Sequence, residues 1–144
     1  MSLWAKLRFW EAQAEGVQAR HGRLGEEAAK KFLKTKGLRF LAANFSSTRG
    51  EIDLIFRDGD CLVFVEVKTR SRDSWTRPSR AVDERKRLAL ARTANDYLRL
   101  LENPQVRYRF DVVEVLLEED EIQETRHIEG CFNTSRLRER RKSR

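Results

Sequence analysis

The chain has 144 residues, of which 37% are charged and 40% are hydrophobic, and its formal net charge at pH 7 is +7. This length allows one hydrophobic core and one compact domain. A mean hydropathy of −0.70 and the lack of a long apolar stretch exclude a membrane-embedded protein. The start of the chain does not resemble a signal peptide, so we expect a cytoplasmic protein. The basic balance favours a nucleic-acid partner.

Two helices are predicted near the start of the chain. Residues 1–20 place apolar side chains at helical spacing. They predict an amphipathic arm that docks on its own domain or on a second subunit, with contact to a membrane surface as the alternative. A second helix is predicted from about Leu24 to Lys36, and Gly37 is a natural C-terminal stop. Glu26 lies at the edge of its apolar face, where a first-turn acid also favours the helix dipole.

Residues 51–70 predict two strands joined by a tight turn. Asp58-Gly59 between two apolar runs is a strong hairpin signal, which makes the strands antiparallel neighbours. On the first strand we assign Ile52 and Leu54 to one face and Asp53 to the other. The second strand is almost entirely apolar, so we expect it in the middle of a sheet.

Two charged residues interrupt the apolar run of the second strand. Glu66 and Lys68 are two positions apart, so their side chains share a face, and Asp53 is expected to face Glu66 across the hairpin. Two neighbouring carboxylates repel unless a cation lies between them, and their hard oxygen atoms suit Mg²⁺ or Mn²⁺. The alternative is that Glu66 and Lys68 form a structural ion pair while Asp53 caps a strand end. A charge in a core strand costs several kcal/mol unless it is paired or metal-bound, which favours a functional site.

A basic segment follows directly on the second strand. Its turn-forming residues and lack of apolar periodicity predict a loop beside the site. We expect its arginines to bind phosphates and its tryptophan to stack on an unpaired base, with local packing of the tryptophan as the alternative. A lysine at the start of the next helix is expected to support a phosphate, or else to lie on a solvated helix face. These candidate nucleic-acid-binding residues are Arg70, Arg72, Trp75, Arg77, Arg80 and Lys86.

The second half of the chain predicts a helix and two further strands. Ser79–Leu101 is expected to be the longest helix, and Asn103-Pro104 ends it. The strands are predicted at Arg107–Leu117 and Ile122–Ile128, joined by an acidic turn. Asp111 lies inside the first of these apolar runs, where we expect it to pair with an arginine. This order of elements predicts an α/β sandwich with a mixed sheet flanked by helices.

The C-terminal residues 134–144 are rich in arginine and lysine. We expect a disordered tail that adds sequence-independent affinity for phosphates. With the N-terminal arm at residues 1–20, this division leaves one domain at residues 21–133.

The order of these residues carries a family resemblance. An acid followed one strand later by Glu-x-Lys resembles the PD-(D/E)xK motif of the restriction-endonuclease-like superfamily, and the wider pattern over roughly residues 20–133 resembles the bacterial YraN family. It is also similar to archaeal Holliday-junction resolvases, which carry a further glutamate on the preceding helix. The matching stretches are Gly22-Arg-Leu-Gly-Glu-Glu27, Gly50-Glu-Ile-Asp-Leu-Ile55, Val63-Phe-Val-Glu-Val-Lys-Thr-Arg70, Val82 with Lys86 and Leu90, Tyr97-Leu98, Arg109-Phe-Asp-Val-Val113, and His127-Ile128 with Phe132.

The resemblance implies a restriction-endonuclease-like three-layer sandwich and a metal-dependent endonuclease acting on DNA, with branched or structured DNA as a candidate substrate. It implies that Asp53, Glu66 and the carbonyl of Val67 bind Mg²⁺ or Mn²⁺, that Glu26 completes the site, and that Lys68 orients the attacking water. A homodimer would suit symmetric cutting of two strands, by analogy with resolvases. Two other functions stay open at this point. One is a non-catalytic nucleic-acid-binding module, and the other is an adaptor that uses the N-terminal arm.

Overall fold

The computed structural model describes residues 2–72, 75 and 84–132. Within them the chain forms two helices and five strands. In chain order these elements are α1 (Leu3–Thr35), β1 (Arg39–Ser47), β2 (Gly50–Asp58), β3 (Cys61–Arg70), α2 (Glu84–Leu100), β4 (Arg107–Glu118) and β5 (Glu121–Phe132).

The five strands form one mixed sheet in the spatial order β1-β2-β3-β4-β5. β3 and β4 are parallel, whereas the other neighbouring strands are antiparallel. Parallel strands need a crossover connection, and α2 lies in the connection between β3 and β4. β3 is the central strand of the sheet and follows a hairpin turn at Gly59, as the sequence predicts.

The sheet is buried on both faces because one helix covers each of them. Val65 on β3 packs with Leu33 of α1, while the adjacent Phe64 packs with Leu90 of α2. Successive side chains of a strand point to opposite faces, so a strand with helices on both sides must be apolar at nearly every position. The predicted α/β three-layer sandwich is therefore confirmed.

Helix α1 is one continuous helix of 33 residues, where the sequence predicted an arm and a separate second helix. The prediction that the longest helix runs from Ser79 is wrong, because α2 has 17 residues; its predicted first residues lie outside the described part of the chain. No proline interrupts residues 3–35, and an isolated glycine costs a helix only about 1 kcal/mol. The helix therefore continues from the predicted arm into the predicted second helix. The helix ends before Gly37, as predicted, with φ +90° at that glycine. Neither described helix is long and apolar enough to cross a membrane.

Strand β1 was not predicted from the sequence. It lies at the edge of the sheet, is half-buried, and alternates between exposed and partly buried positions. Its residues, Arg-Phe-Leu-Ala-Ala-Asn-Phe-Ser-Ser, include none of the β-branched aliphatic side chains that mark a strand. Its formation follows from pairing with β2, which the local sequence does not reveal.

Asn44 of β1 and Asp53 of β2 lie at opposite positions but do not form a pair, while the register of the two strands shifts elsewhere, between Phe40 and Ala42. Asn44 has a left-handed φ of +53°, between two regular pairs that flank it. Ile52 therefore packs on the α2 side of the sheet and Leu54 on the α1 side. The assignment of Ile52 and Leu54 to one face is wrong, because this local distortion breaks the alternation of β2 at the position of the candidate catalytic acid.

Asp111 pairs with an arginine, as predicted, inside a buried polar network. Arg109 Nε donates to Asp111 Oδ1 at 3.1 Å, and His127 Nε2 lies 2.7 Å from Asp111 Oδ2. Lys36 Nζ lies 2.6 Å from His127 Nδ1; an ammonium can only donate, so Nδ1 accepts and Nε2 carries the proton that it gives to Asp111. Burial alone would raise the pKa of Asp111, but its hydrogen bonds from His127, Arg109 and the backbone of Gly130 hold that pKa below the usual range. The network joins β4, β5 and the end of α1.

Candidate active site at the β2–β3 fork

Strands β2 and β3 are paired at one end and separate at the other. Their antiparallel pairing starts at the hairpin turn and ends with Leu54 opposite Val65. Beyond that point Gly50, Glu51 and Ile52 of β2 stay paired with β1, and the remaining residues of β3 stay paired with β4. We call this opening the β2–β3 fork; it is bordered by residues 51–53 and 66–68.

Asp53 and Glu66 are the first residues on the two sides of the fork. Asp53 Oδ2 accepts a hydrogen bond of 2.8 Å from the backbone N–H of Val67. Glu66 is buried, and its carboxylate is close enough to raise the pKa of Asp53. The two acids are therefore neighbours, as the hairpin register predicts, although the ladder of paired residues stops just before them.

The pKa of Asp53 is lifted from its ordinary value of 3.8 to about 7. Burial is the largest cause, and the carboxylates of Glu66 and Glu26 add to it. The hydrogen bond from Val67 and the ammonium of Lys86 act in the opposite direction. A carboxyl group that retains its proton near neutral pH shows that this position disfavours a negative charge, first because it is buried and then because other acids lie nearby.

Helix α1 supplies a third acid to the fork. When the amide nitrogen of Asn44 faces Glu26, it donates to both carboxylate oxygens at 3.3 Å. Burial raises the pKa of Glu26, the bond from Asn44 lowers it, and the carboxylates of Glu51 and Glu66 raise it further. The charges of Glu26 and Glu66 are therefore close enough to interact, although Glu26 lies on α1 and Glu66 lies on β3.

Gly25 explains how α1 comes so close to the fork. A Cβ atom at this position would lie 2.3 Å from Thr69 Oγ1, which is closer than real Cβ contacts allow. The missing side chain lets the helix approach β3 next to Glu26. A matching glycine was part of the family resemblance, but the sequence alone did not assign it this packing role.

Two lysines provide the positive charge of the site. Lys86 Nζ, in the first turns of α2, forms an ion pair with Glu66 Oε1 at 2.8 Å. Lys68 shares the face of Glu66 on β3; burial lowers its pKa and Arg70 lowers it further, whereas Glu66 and Glu114 oppose the shift. The sequence singled out Lys86 for phosphate contact, and the structure brings it to an acid of the fork.

The turn between β1 and β2 is tied to α2 by contacts that the sequence did not reveal. Asp96 accepts hydrogen bonds from Ser47 Oγ at 2.7 Å and from Arg49 Nη2 at 3.0 Å. A Cβ atom on Gly50 would lie 2.8 Å from Thr93 Oγ1, so the glycine permits this close approach of strand and helix. These contacts hold the strand that carries Asp53. They join residues more than 40 positions apart, and no local motif signals them.

The oxygen atoms of the fork have the chemistry that Mg²⁺ or Mn²⁺ requires. Asp53 and Glu66 offer carboxylate oxygens, and the charge of Glu66 is met by the ammonium of Lys86. As the side chains lie, no three His, Cys, Asp or Glu residues of the described ranges are close enough together to hold a metal ion. The donor set fits a divalent cation because such an ion would favour the ionised form of Asp53, which burial and the neighbouring carboxylates disfavour. Glu26 would have to move closer to become a third ligand.

The predicted nucleic-acid-binding residues have local contacts where they are described. Trp75 stacks on the guanidinium of Arg126, whose carbon lies 3.8 Å from the ring centre, and Trp75 Nε1 donates to Glu124 at 2.9 Å. Arg72 forms a two-bond ion pair with Glu118. The local packing of Trp75 that the sequence offered as an alternative is thus present, and base stacking stays a prediction. Arg70 is half-buried at the end of β3, and the predictions for Arg77 and Arg80 lie outside the described residues.

Comparisons with known proteins match one family. The sequence model of "Uncharacterised protein family UPF0102" matches residues 25–115, a range that includes the whole fork. A UPF0102 protein of Symbiobacterium thermophilum is 48% identical over 99 residues, which cover 69% of this chain and 84% of that protein. UPF0102 proteins of Solibacter usitatus and Alkaliphilus oremlandii are 43% and 40% identical; the matches cover 68% and 77% of this chain, and 76% and 96% of those proteins.

Proposed function

The chain belongs to the uncharacterised protein family UPF0102, as the YraN resemblance indicated, and from this premise we propose that it is a metal-dependent endonuclease that hydrolyses phosphodiester bonds in DNA. Branched or structured DNA in the cytoplasm is the proposed substrate. The observation that carries the proposal is the acid pair beside Lys68, a partly buried Asp53 and a buried Glu66, in a fork where the pKa of Asp53 rises to about 7. Acids with strongly raised pKa values are concentrated at functional sites, which favours this proposal over a structural cluster.

The residues that would hold Mg²⁺ or Mn²⁺ are Asp53, Glu66 and the carbonyl of Val67, with Glu26 completing the set. A bound divalent cation would lower the pKa of a water molecule and offset negative charge on the scissile phosphate. The protein contributes the fixed position of the acids. The backbone N–H of Val67 holds the Asp53 carboxylate, and burial together with the ion pair to Lys86 holds Glu66.

Lys68 supplies a proton donor and a positive charge on the same face as Glu66. We propose that its ammonium binds a phosphate oxygen and orients the attacking water. The lowered pKa of Lys68, which burial causes, makes proton transfer easier than it is for a lysine in water. Without a bound metal ion, Lys86 forms an ion pair with Glu66. A divalent cation bound by Glu66 would repel the ammonium of Lys86, which would then be available to the substrate phosphate.

The substitution Lys68→Ala tests the proposed chemistry. Cleavage of linear, nicked and four-way-junction DNA in Mn²⁺ should disappear in this variant, because the phosphate and the water lose their positively charged donor. Binding of Mn²⁺, measured by isothermal titration, should persist because the acids remain. Lys31→Ala, on the exposed side of α1, is the matched control and should cleave at the wild-type rate. Equal cleavage by the Lys68→Ala variant and the wild type would remove Lys68 from the mechanism.

A second candidate function is a nucleic-acid-binding module without catalysis. The observation that favours it is that Lys86 already pairs with Glu66, while the Val67 N–H already bonds to Asp53. In that case DNA affinity would fall steeply with salt, would not depend on Mg²⁺, and would survive Asp53→Asn.

The adaptor function and a homodimer remain proposals of the same rank. If the protein is an adaptor, deleting residues 1–18 would abolish partner recovery without changing DNA affinity. If it is a homodimer, it would cut two strands with two-fold symmetry.

A further inference from the structure

Four cations surround the end of the edge strand β1 where α1 passes over it: Lys30 and Lys34 lie at Phe40, and Lys34, Arg39 and Arg57 line one depression. Lys30 Nζ lies 3.8 Å and Lys34 Nζ 5.6 Å from the centre of the Phe40 ring of β1. Next to Phe40, Arg39 is paired in register with Arg57 of β2. A depression of about 550 Å³ opens here, and its lining residues are Lys34, Leu38, Arg39, Phe40, Leu41 and Arg57.

These cations lack the acidic partners that cations have elsewhere in the protein. In the described part of the chain, none of the four lies within 4.0 Å of a carboxylate, and Arg57 Nε bonds to a backbone carbonyl instead. By contrast, Arg107 pairs with Asp60 at 3.0 Å and Arg49 with Asp96 at 3.0 Å. No acid lines the depression. A group of like charges without counter-charges is suited to an anionic partner that supplies them.

The group extends away from the β2–β3 fork along one helix face. Glu26, Lys30 and Lys34 are four residues apart, so they share a face of α1, with about 6 Å between neighbours. β1 runs beneath this face, because its Asn44 contacts Glu26 and its Phe40 contacts both lysines. One end of the basic surface therefore lies at the fork. The helix distance from Glu26 to Lys34 is about 12 Å, which spans roughly three to four phosphates of one DNA strand at 3.4 Å each.

We propose that Lys30, Lys34, Arg39 and Arg57 form a basic track that binds the phosphodiester backbone of a nucleic-acid strand and leads that strand to the fork. The identity of the ligand rests on the proposed nuclease function, whereas the binding itself needs no catalysis. Phe40 positions the two lysines by cation–π contact and keeps them together despite their mutual repulsion. The phosphodiester backbone of a flexible nucleic-acid strand suits this group of cations, because successive phosphates can each contact one cation.

The test compares two variants that each lose four positive charges. The track variant carries Lys30→Gln, Lys34→Gln, Arg39→Gln and Arg57→Gln, and the control carries Lys31→Gln, Arg92→Gln, Arg99→Gln and Arg107→Gln. Fluorescence anisotropy measures binding of a labelled 30-base-pair duplex and a 30-nucleotide single strand in EDTA, from 50 to 200 mM KCl. The track variant should lose about 3 from the slope of log K against log salt, and its affinity should fall at least about tenfold at 100 mM. The control slope should stay within about 1 of the wild type.

Charge-conserving exchanges separate charge from folding. Lys30→Arg with Lys34→Arg and Arg39→Lys with Arg57→Lys should retain the wild-type slope, because phosphate binding here depends on positive charge. If the track variant does not fold by circular dichroism, Lys34→Gln alone, at an exposed position, should lose about 0.9 from the slope.

Equal losses in the track and control variants would overturn the proposal, as would an unchanged slope in the track variant. A polyglutamate peptide that displaces the duplex at equal charge concentration would also overturn it, because the track would then be a site for acidic proteins. The nuclease proposal fails separately. Track-dependent binding without Mn²⁺-dependent cleavage would refute the nuclease and support the track, whereas cleavage with an unchanged slope would refute the track alone.

Discussion

Replacing Asp53 with asparagine should make the metal-free protein more stable at pH 8. The side chain keeps its shape, and the amide oxygen of asparagine can accept the bond that Val67 N–H donates to Asp53. What the change removes is a carboxylate in a buried site next to Glu66. Because the wild-type pKa of Asp53 is raised, ionising this group in the folded protein is unfavourable.

The size of the effect follows from the two pKa values of Asp53. The rise from 3.8 to about 7 is roughly three units, and each unit corresponds to about 1.4 kcal/mol of free energy. Protonation of Asp53 therefore contributes up to about 4 kcal/mol to stability. That contribution is complete below about pH 4, the unfolded value, and is lost as the pH rises through about 7. Asparagine does not ionise, so the variant retains what the wild type loses.

Urea denaturation in EDTA at pH 4.5, 6 and 8 measures this difference. The free energy of unfolding of Asp53→Asn should exceed that of the wild type by about 2–4 kcal/mol at pH 8, and the gap should shrink towards pH 4.5. Asp60→Asn is the control, because the Asp60 side chain at the hairpin turn is 82% exposed; it should change stability by less than about 0.5 kcal/mol. If Asp53→Asn is no more stable than the wild type at pH 8, or if the gap does not vary with pH, the pKa of Asp53 is not raised in the folded protein.

Two further predictions concern the scaffold of the site. Gly25→Ala should lower the free energy of unfolding by about 1–3 kcal/mol in urea, because its Cβ meets Thr69 Oγ1, and adding Thr69→Ala should recover most of the loss. An unchanged stability in Gly25→Ala would mean that α1 does not lie this close to β3. Asp111→Asn should cost about 1–3 kcal/mol, because the asparagine amide cannot accept every hydrogen bond that Arg109, His127 and Gly130 donate to Asp111, while Arg109 keeps its ion pair with Asp58. A loss below about 1 kcal/mol would show that Asp111 is not the anchor of the network.

The hairpin and its acids could be predicted because their signals are local. Asp58-Gly59 marks the turn, and the apolar run around Phe64 marks a central strand. Once the turn is fixed, the register brings Asp53 near Glu66 without further information. The mixed sheet and its flanking helices follow from the order of elements, so the fold class could also be predicted from the sequence.

The remaining features depend on contacts between distant parts of the chain. β1 has a weak strand pattern and forms by pairing with β2, with Asn44 in a left-handed conformation. Lys86 finds Glu66 only because α2 packs on the sheet next to β3. The length of α1 was missed for a different reason, since Gly37 gives a clear end but no residue marks a clear beginning. None of these features has a signature within a few neighbouring residues.

The most direct test of the proposed active site is isothermal titration of Mn²⁺ into the wild type, Asp53→Asn and Asp60→Asn, beside a cleavage assay on linear, nicked and four-way-junction DNA. We predict that the wild type and Asp60→Asn bind Mn²⁺ and cleave at least one of these substrates only when the metal is present. Asp53→Asn should lose both properties while remaining folded. Absence of Mn²⁺ binding and of cleavage in the folded wild type would contradict the account and make Asp53, Glu66 and Lys68 a structural cluster.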